Sequence, residues 1–195
     1  MRHRRKGRKL GRAPSHQRAL LKNLASALFL TERDAELDDN QPKVPGRIVT
    51  TLEKAKEVRP LVEKCITIAR DSLAAAEAAK PYGTEATRGS GEWKSWRESE
   101  KYRQWNAAMA PAVAGRRRVL SLLGDKKAVR VLFDTVAERF ADRPGGYTRI
   151  MRLAKPRLGD AGTRAILELV GVRDRAARTA QAPSFEGAQA EPAAT

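Results

Sequence analysis

Residues 47–73, RIVTTLEKAKEVRPLVEKCITIARDSL, run a short β-branched stretch directly into a long amphipathic one. Arg47-Ile48-Val49-Thr50 is predicted as a strand. Thr50-Thr51-Leu52-Glu53 then has the pattern of a capping box, with the Thr50 hydroxyl accepting from the Glu53 amide and the Glu53 carboxylate reaching back. Leu52, Ala55, Val58, Leu61, Val62, Cys65, Ile66, Ala69 and Leu73 recur at steps of three and four, which gives a helix with a broad apolar face. Pro60 removes one amide from its ladder, so a kink or break is expected near Arg59. Cys65 lies on the apolar face. A buried, inert thiol is favoured there over a nucleophile, because no histidine follows it to serve as its base.

Upstream, Leu20, Leu21, Leu24, Ala27 and Leu28 predict a first helix over about 15–30, with Ser15 as N-cap. Arg18, Lys22 and Asn23 lie off that stripe and give the helix a basic face; His16 reads as an ordinary exposed or capping histidine. Before it stands Met1–Arg12, MRHRRKGRKLGR, with seven Arg or Lys and no acid. Such a run cannot bury a core, and its like charges repel. Residues 1–14 are therefore expected to be a disordered basic arm. It is either a solvated tail or a segment ordered by a polyanion, since Arg forks match phosphate oxygens in pairs and counterion release drives association. Residues 31–46 reverse the charge with Glu32, Asp34, Glu36, Asp38 and Asp39. They read as an acidic loop facing solvent, a protein or the chain's own basic surface, and the spacing lacks a calcium-loop pattern.

Downstream, residues 80–112 look like an insertion. It opens with Pro81, Gly83, Gly89, Ser90 and Gly91 and holds all three tryptophans, Trp93, Trp96 and Trp105, among cations. Those rings either stack on unpaired bases or pin a small helix onto the body. Gly115-Arg116-Arg117-Arg118 is expected to start a helical piece that Gly124 ends, with Asp125 capping a further helix to about Phe140. Arg143-Pro144-Gly145-Gly146-Tyr147-Thr148-Arg149 is turn chemistry leading into a strand over 147–153. A last strand over 163–170 completes a hairpin. The glycine pair is also compatible with close approach of a sugar–phosphate chain beside Arg143 and Arg149. Residues 173–195, dominated by Ala, Pro, Gly and Gln, should be a disordered tail.

Composition sets the outer limits. In 195 residues the net charge is +16, the hydrophobic share 41% and the isoelectric point about 10.6. One domain with extensions fits the length. A basic surface points to nucleic acid or an anionic membrane, and no apolar run approaches the ~20 residues a spanning helix needs. No membrane is expected as partner. The start lacks the apolar region of a secretory signal, and its charges are denser than an amphipathic presequence would carry. A single cysteine rules out an internal disulfide or multi-cysteine zinc site and fits a reducing cytoplasm.

The quoted segments together resemble a known family. Met1–Leu10 followed by Ser15-His16-Gln17-Arg18, then Thr50–Arg59, then Arg143–Ile150 with Ile166–Val170, match in order and content the bacterial large-subunit ribosomal protein L-seventeen family over about 120 residues. The resemblance implies an α+β fold, with a small three-stranded sheet packed against several helices over residues 15–172. It also implies a structural protein that binds large-subunit ribosomal RNA near the outer end of the exit tunnel, beside neighbouring large-subunit proteins. It carries over RNA contacts to Arg2, His3, Arg4, Arg5, Lys6, Arg8, Lys9, Ser15, His16, Arg18, Arg143, Gly145, Gly146, Tyr147 and Arg149. Arg116 and Arg117 rejoin the family pattern; Arg12 of the arm and Lys22 of the first helix complete the candidate set from charge alone. No cofactor, metal, catalytic residue or small-molecule substrate is implied. The acidic loop is about a dozen residues longer than the family's usual connection, and the tryptophan segment has no counterpart in its shorter members.

Two other readings stand beside this one. A non-ribosomal DNA- or RNA-binding architectural protein shares the charge without the motifs. An enzyme would have to rest on Cys65 with His16 or on the acids of the loop, and neither set has a third partner.

Overall fold

A single helix of 28 residues organises the molecule. The computed structural model describes residues 7–36 and 38–171; Arg2, His3, Arg4, Arg5 and Lys6 of the expected arm, and the expected tail over 173–195, lie outside them. In chain order the elements are α1 (Pro14–Leu30), β1 (Arg47–Thr51), α2 (Leu52–Ala79), α3 (Gly91–Glu98), α4 (Glu100–Leu123), α5 (Lys126–Val131), α6 (Ala137–Arg139), β2 (Thr148–Arg152) and β3 (Arg164–Leu169). This is the α+β arrangement the resemblance implies.

The sheet is antiparallel with order β1–β3–β2, so the last strand occupies the middle. Ile48, Leu167 and Ile150 align across it, and Ala165, Leu167 and Leu169 are buried on that face. The face packs on α2, which also carries α1 and α4 against it. Leu52, Ala55, Val58, Val62, Cys65, Ile66 and Ala69 are all buried, as their spacing predicts. Each large one contributes about 1.5–3 kcal/mol on burial, so this one stripe dominates the core.

Several local expectations change. The first helix starts at Pro14 with Ala13 as N-cap, and no side chain caps it. Proline's fixed φ and missing N–H suit the first helical position, so Ser15 falls inside the first turn instead of capping it. The buried stripe of α1 is Ala25, Leu28 and Phe29, and Ala27 faces outward. The Thr50–Glu53 capping box does not form. Thr50 stays in β1, Thr51 is the N-cap without a side-chain bond, and the Leu52 amide donates to the Thr163 carbonyl at 3.0 Å instead. Pro60 does not break α2: it is exposed, and the buried residues on either side hold the helix through the one missing bond.

The largest correction concerns residues 80–123. A 3₁₀ turn (Lys80–Tyr82) and α3 lead into α4, which runs unbroken through Pro111 to Leu123. The expected boundary at 112 therefore falls inside a helix, and Gly115 does not start one. Gly115 sits where α4 lies against α2: a Cβ there would collide with Ser72 Oγ, which is held to the Ile68 carbonyl at 2.7 Å. Gly124 ends α4 at φ +78, and Asp125 accepts from the amides of Lys127 and Ala128, as expected. The helix after it reaches Arg139 only through a π turn over Leu132–Val136, which keeps Leu132, Phe133 and Val136 buried together.

Candidate nucleic-acid interface

The described part of the arm is not shapeless. Gly7, Leu10 and Gly11 take positive φ, and a turn closes with the Arg12 amide donating to the Lys9 carbonyl at 3.1 Å. The Gln17 side-chain amide donates to the Arg8 carbonyl, and the Arg8 guanidinium lies 3.9 Å from Glu57 of α2. Residues 7–13 thus fold back over the start of α1. Arg8, Lys9, Ser15, His16 and Arg18 remain exposed around that turn. Arg12 is half-buried: one terminal nitrogen donates to the Leu10 carbonyl at 2.9 Å, while its Nε is buried without a partner.

Farther along α1, Lys22 Nζ donates to the Ser121 carbonyl at 3.2 Å. This uses one of its three N–H donors on the last turn of α4, where a cation is favourable. It also sets the basic face of α1 beside the end of α4. Arg117 and Arg118 are exposed there, and α5, which packs on α1, adds exposed Lys126, Lys127 and Arg130. Arg116 is more committed: it pairs with Asp134 at 3.0 Å and lies over the Phe133 ring at 4.7 Å. Sequence reasoning does not reach Arg118, Lys126, Lys127 and Arg130 as site residues. The signal is present as a run of basic residues on both sides of Gly124, but only the fold shows that they share a corner with α1.

The turn over 143–149 is built by α2. Glu63 accepts from the Tyr147 amide at 3.1 Å and from the Thr148 amide and hydroxyl at 2.9 and 2.6 Å. Arg70 donates to the Arg143 carbonyl at 2.9 Å. Gly146 holds φ +64, a left-handed conformation that glycine adopts without cost. Arg143 is left exposed at the tip. Two residues of this turn are engaged by the chain itself. Tyr147 is 1% exposed and packs against Phe140, 5.1 Å between centroids, because the residue just before the second strand points into the core. Arg149 pairs with Glu168 at 2.6 Å.

Glu168 is the electrostatic centre of the sheet's outer face. Its carboxylate, 4% exposed, lies between Arg149 and Arg47, the latter at 2.9 Å, along one cross-strand row. Glu32, from the acidic loop, makes a two-toothed pair with Arg139 at 2.9 and 2.6 Å, and Arg33 pairs with Asp38 at 2.8 Å. Part of the acidic loop thus neutralises the chain's own basic residues, while Asp34, Glu36 and Asp39 face solvent. The cations divide. Arg33, Arg47, Arg139 and Arg149 are matched by carboxylates. Lys9, Arg12, Arg18, Lys22, Arg117, Arg118, Lys126, Lys127, Arg130 and Arg143 have no carboxylate partner among the described residues.

No helix among the described residues is long and apolar enough to cross a membrane. Cys65 is fully buried, and loss of hydration pushes its thiol up to about 12. That removes the thiolate a nucleophile needs.

Known proteins carry the same pattern. The family model for Ribosomal protein L17 matches residues 20–170. Large ribosomal subunit protein bL17 of Rhodopirellula baltica is 72% identical over 186 residues, 95% of this chain and 89% of that protein. The bL17 proteins of Desulfotalea psychrophila and Halothermothrix orenii are 37% and 34% identical, over 88% and 84% of this chain and 91% and 96% of theirs. With a family match across most of its length, and relatives aligned nearly end to end, the chain belongs to the ribosomal protein L17 family.

Proposed function

We propose that this chain is a structural constituent of the large ribosomal subunit, and that it binds and stabilises the subunit's RNA on the exit-tunnel side. It works in the cytoplasm by binding, not by catalysis, beside neighbouring large-subunit proteins. The supporting observation is that the arm, α1, the α4–α5 corner and Arg143 present a run of cations with no carboxylate partner among the described residues: Lys9, Arg12, Arg18, Lys22, Arg117, Arg118, Lys126, Lys127, Arg130 and Arg143. An unmatched guanidinium or ammonium gains from a phosphate without first giving up an internal partner. Recognition is then mainly of shape and backbone, because side chains cannot read the narrow major groove of A-form RNA. Lys9, Arg12 and Arg18 hold the arm end of the contact, with Arg8, which also lies 3.9 Å from Glu57, and with Ser15 and His16 exposed beside them. Arg117, Arg118, Lys127 and Arg130 hold the corner. Arg143, with Gly145 and Gly146 leaving the backbone bare, gives a separate point of contact that fixes orientation.

Competition between folded large-subunit RNA fragments and duplex DNA of equal charge tests this. The RNA should bind at least ~10-fold tighter at physiological salt. Equal affinity would favour a general architectural nucleic-acid binder.

A further inference from the structure

Residues 80–105 build a pocket that the core does not need. No residue of α3 is buried, so burial of a core face does not account for that helix. Its aromatic side chains instead line a cavity of about 340 Å³ together with those of α4: Trp93, Trp96, Tyr102 and Trp105, with Arg97 also in the lining. Trp96 stands edge-on to Tyr102 and to Trp105, at 75° and 69°, while Tyr102 and Trp105 are stacked at 18°. The Trp96 indole N–H donates to the Tyr82 carbonyl at 3.0 Å and fixes the corner. Gly83 lies at the rim, where a Cβ would come within 3.9 Å of the Trp105 indole nitrogen. The volume lies at the small end of pockets that hold drug-sized ligands, about 300–1,000 Å³.

We propose that this pocket takes an unpaired nucleobase of large-subunit RNA. The inference rests on the RNA-binding reading for the source of that base. Rings set in a corner accept a flat guest stacked on one face and touched by the edge of another, and such stacking contributes about 1–3 kcal/mol per base. Arg97 selects among flat guests. Its guanidinium lies 5.1 Å from the Trp93 centroid and 5.8 Å from that of Tyr102, with no carboxylate partner among the described residues. A cation over these rings repels a quaternary ammonium or lysine guest and is suited to the phosphate that accompanies a base. The surroundings agree in sign: residues 80–111 carry six basic against four acidic side chains.

All three tryptophans line the cavity, so intrinsic tryptophan fluorescence of the full chain reports on this site alone. The probe is a single-stranded RNA octamer, alongside adenosine monophosphate and a proline-rich decapeptide. The octamer should quench the emission with saturation. Trp105→Ala and Arg97→Gln should each weaken that quench at least ~5-fold. Arg97→Gln removes no ring and lies outside α4, so it tests the site even where Trp105→Ala unsettles α4. Adenosine monophosphate binding as tightly as the octamer, or the peptide quenching in its place, would overturn the proposal. So would no quench with any probe. Co-sedimentation with large subunits separates the two readings: retained sedimentation without a quench sinks the pocket alone, and a quench without sedimentation sinks the ribosomal placement alone.

Discussion

The carboxylate of Glu63, on the long central helix, accepts from the backbone amide of Thr148 at 2.9 Å and from that residue's hydroxyl at 2.6 Å. Its other oxygen takes the Tyr147 amide at 3.1 Å. One side chain therefore ends the glycine turn and starts the second strand.

Replacing it should be costly. Glu63→Ala leaves two amides and a hydroxyl without their acceptor at a partly buried position, a loss of roughly 2–3 kcal/mol. Glu63→Gln keeps one carbonyl oxygen and should lose about half as much. Urea unfolding reads both; a midpoint unchanged by the alanine would show that water replaces the carboxylate freely.

Tyr147 gives the opposite expectation. Its hydroxyl is buried without a hydrogen-bond partner, and its ring packs on Phe140. Tyr147→Phe removes an unsatisfied polar atom and keeps the ring, so stability should stay within about 0.5 kcal/mol or rise. Affinity for ribosomal RNA should not move. A fall in affinity with unchanged stability would place the hydroxyl at the RNA after all.

Much of this architecture is legible in the sequence, and what is not has physical reasons. The stripe from Leu52 to Ala69 shows itself because helical period and burial coincide. The Gly124-Asp125 junction shows itself because its chemistry is local. Partners far apart in the chain do not. Nothing near Glu63 announces Thr148, and nothing near Glu32 announces Arg139, 107 residues on. Gly46 reads as loop punctuation, yet at φ +72 a Cβ there would stand 2.5 Å from Glu32 Oε1, so the glycine also makes room for that ion pair. For the candidate interface, the basic residues are visible in the sequence. Which of them are already neutralised, as Arg149 is by Glu168, is not.

The thiol supplies a pH test. Cys65 is pushed from an ordinary value near 9 up to about 12 by burial. The folded state therefore disfavours the thiolate. Its contribution is intact below the unfolded thiol's pKa and declines as pH rises from there toward 12. Alkylation by iodoacetamide at about pH 8 should be at least ~100-fold slower in the folded protein than in urea. Comparable rates would mean that the core opens locally around α2.

The most direct test of the account is the salt dependence of binding to folded large-subunit RNA. The chain is compared with a variant carrying Arg18→Gln, Arg117→Gln, Arg118→Gln and Lys127→Gln. All four side chains are exposed and without carboxylate partners among the described residues, so the melting temperature should hold. Each phosphate that is no longer neutralised takes about 0.7–0.9 from the slope of log affinity against log salt, so the variant's slope should be shallower by roughly three units. An unchanged slope with unchanged affinity would mean that these unpartnered cations do not touch the RNA.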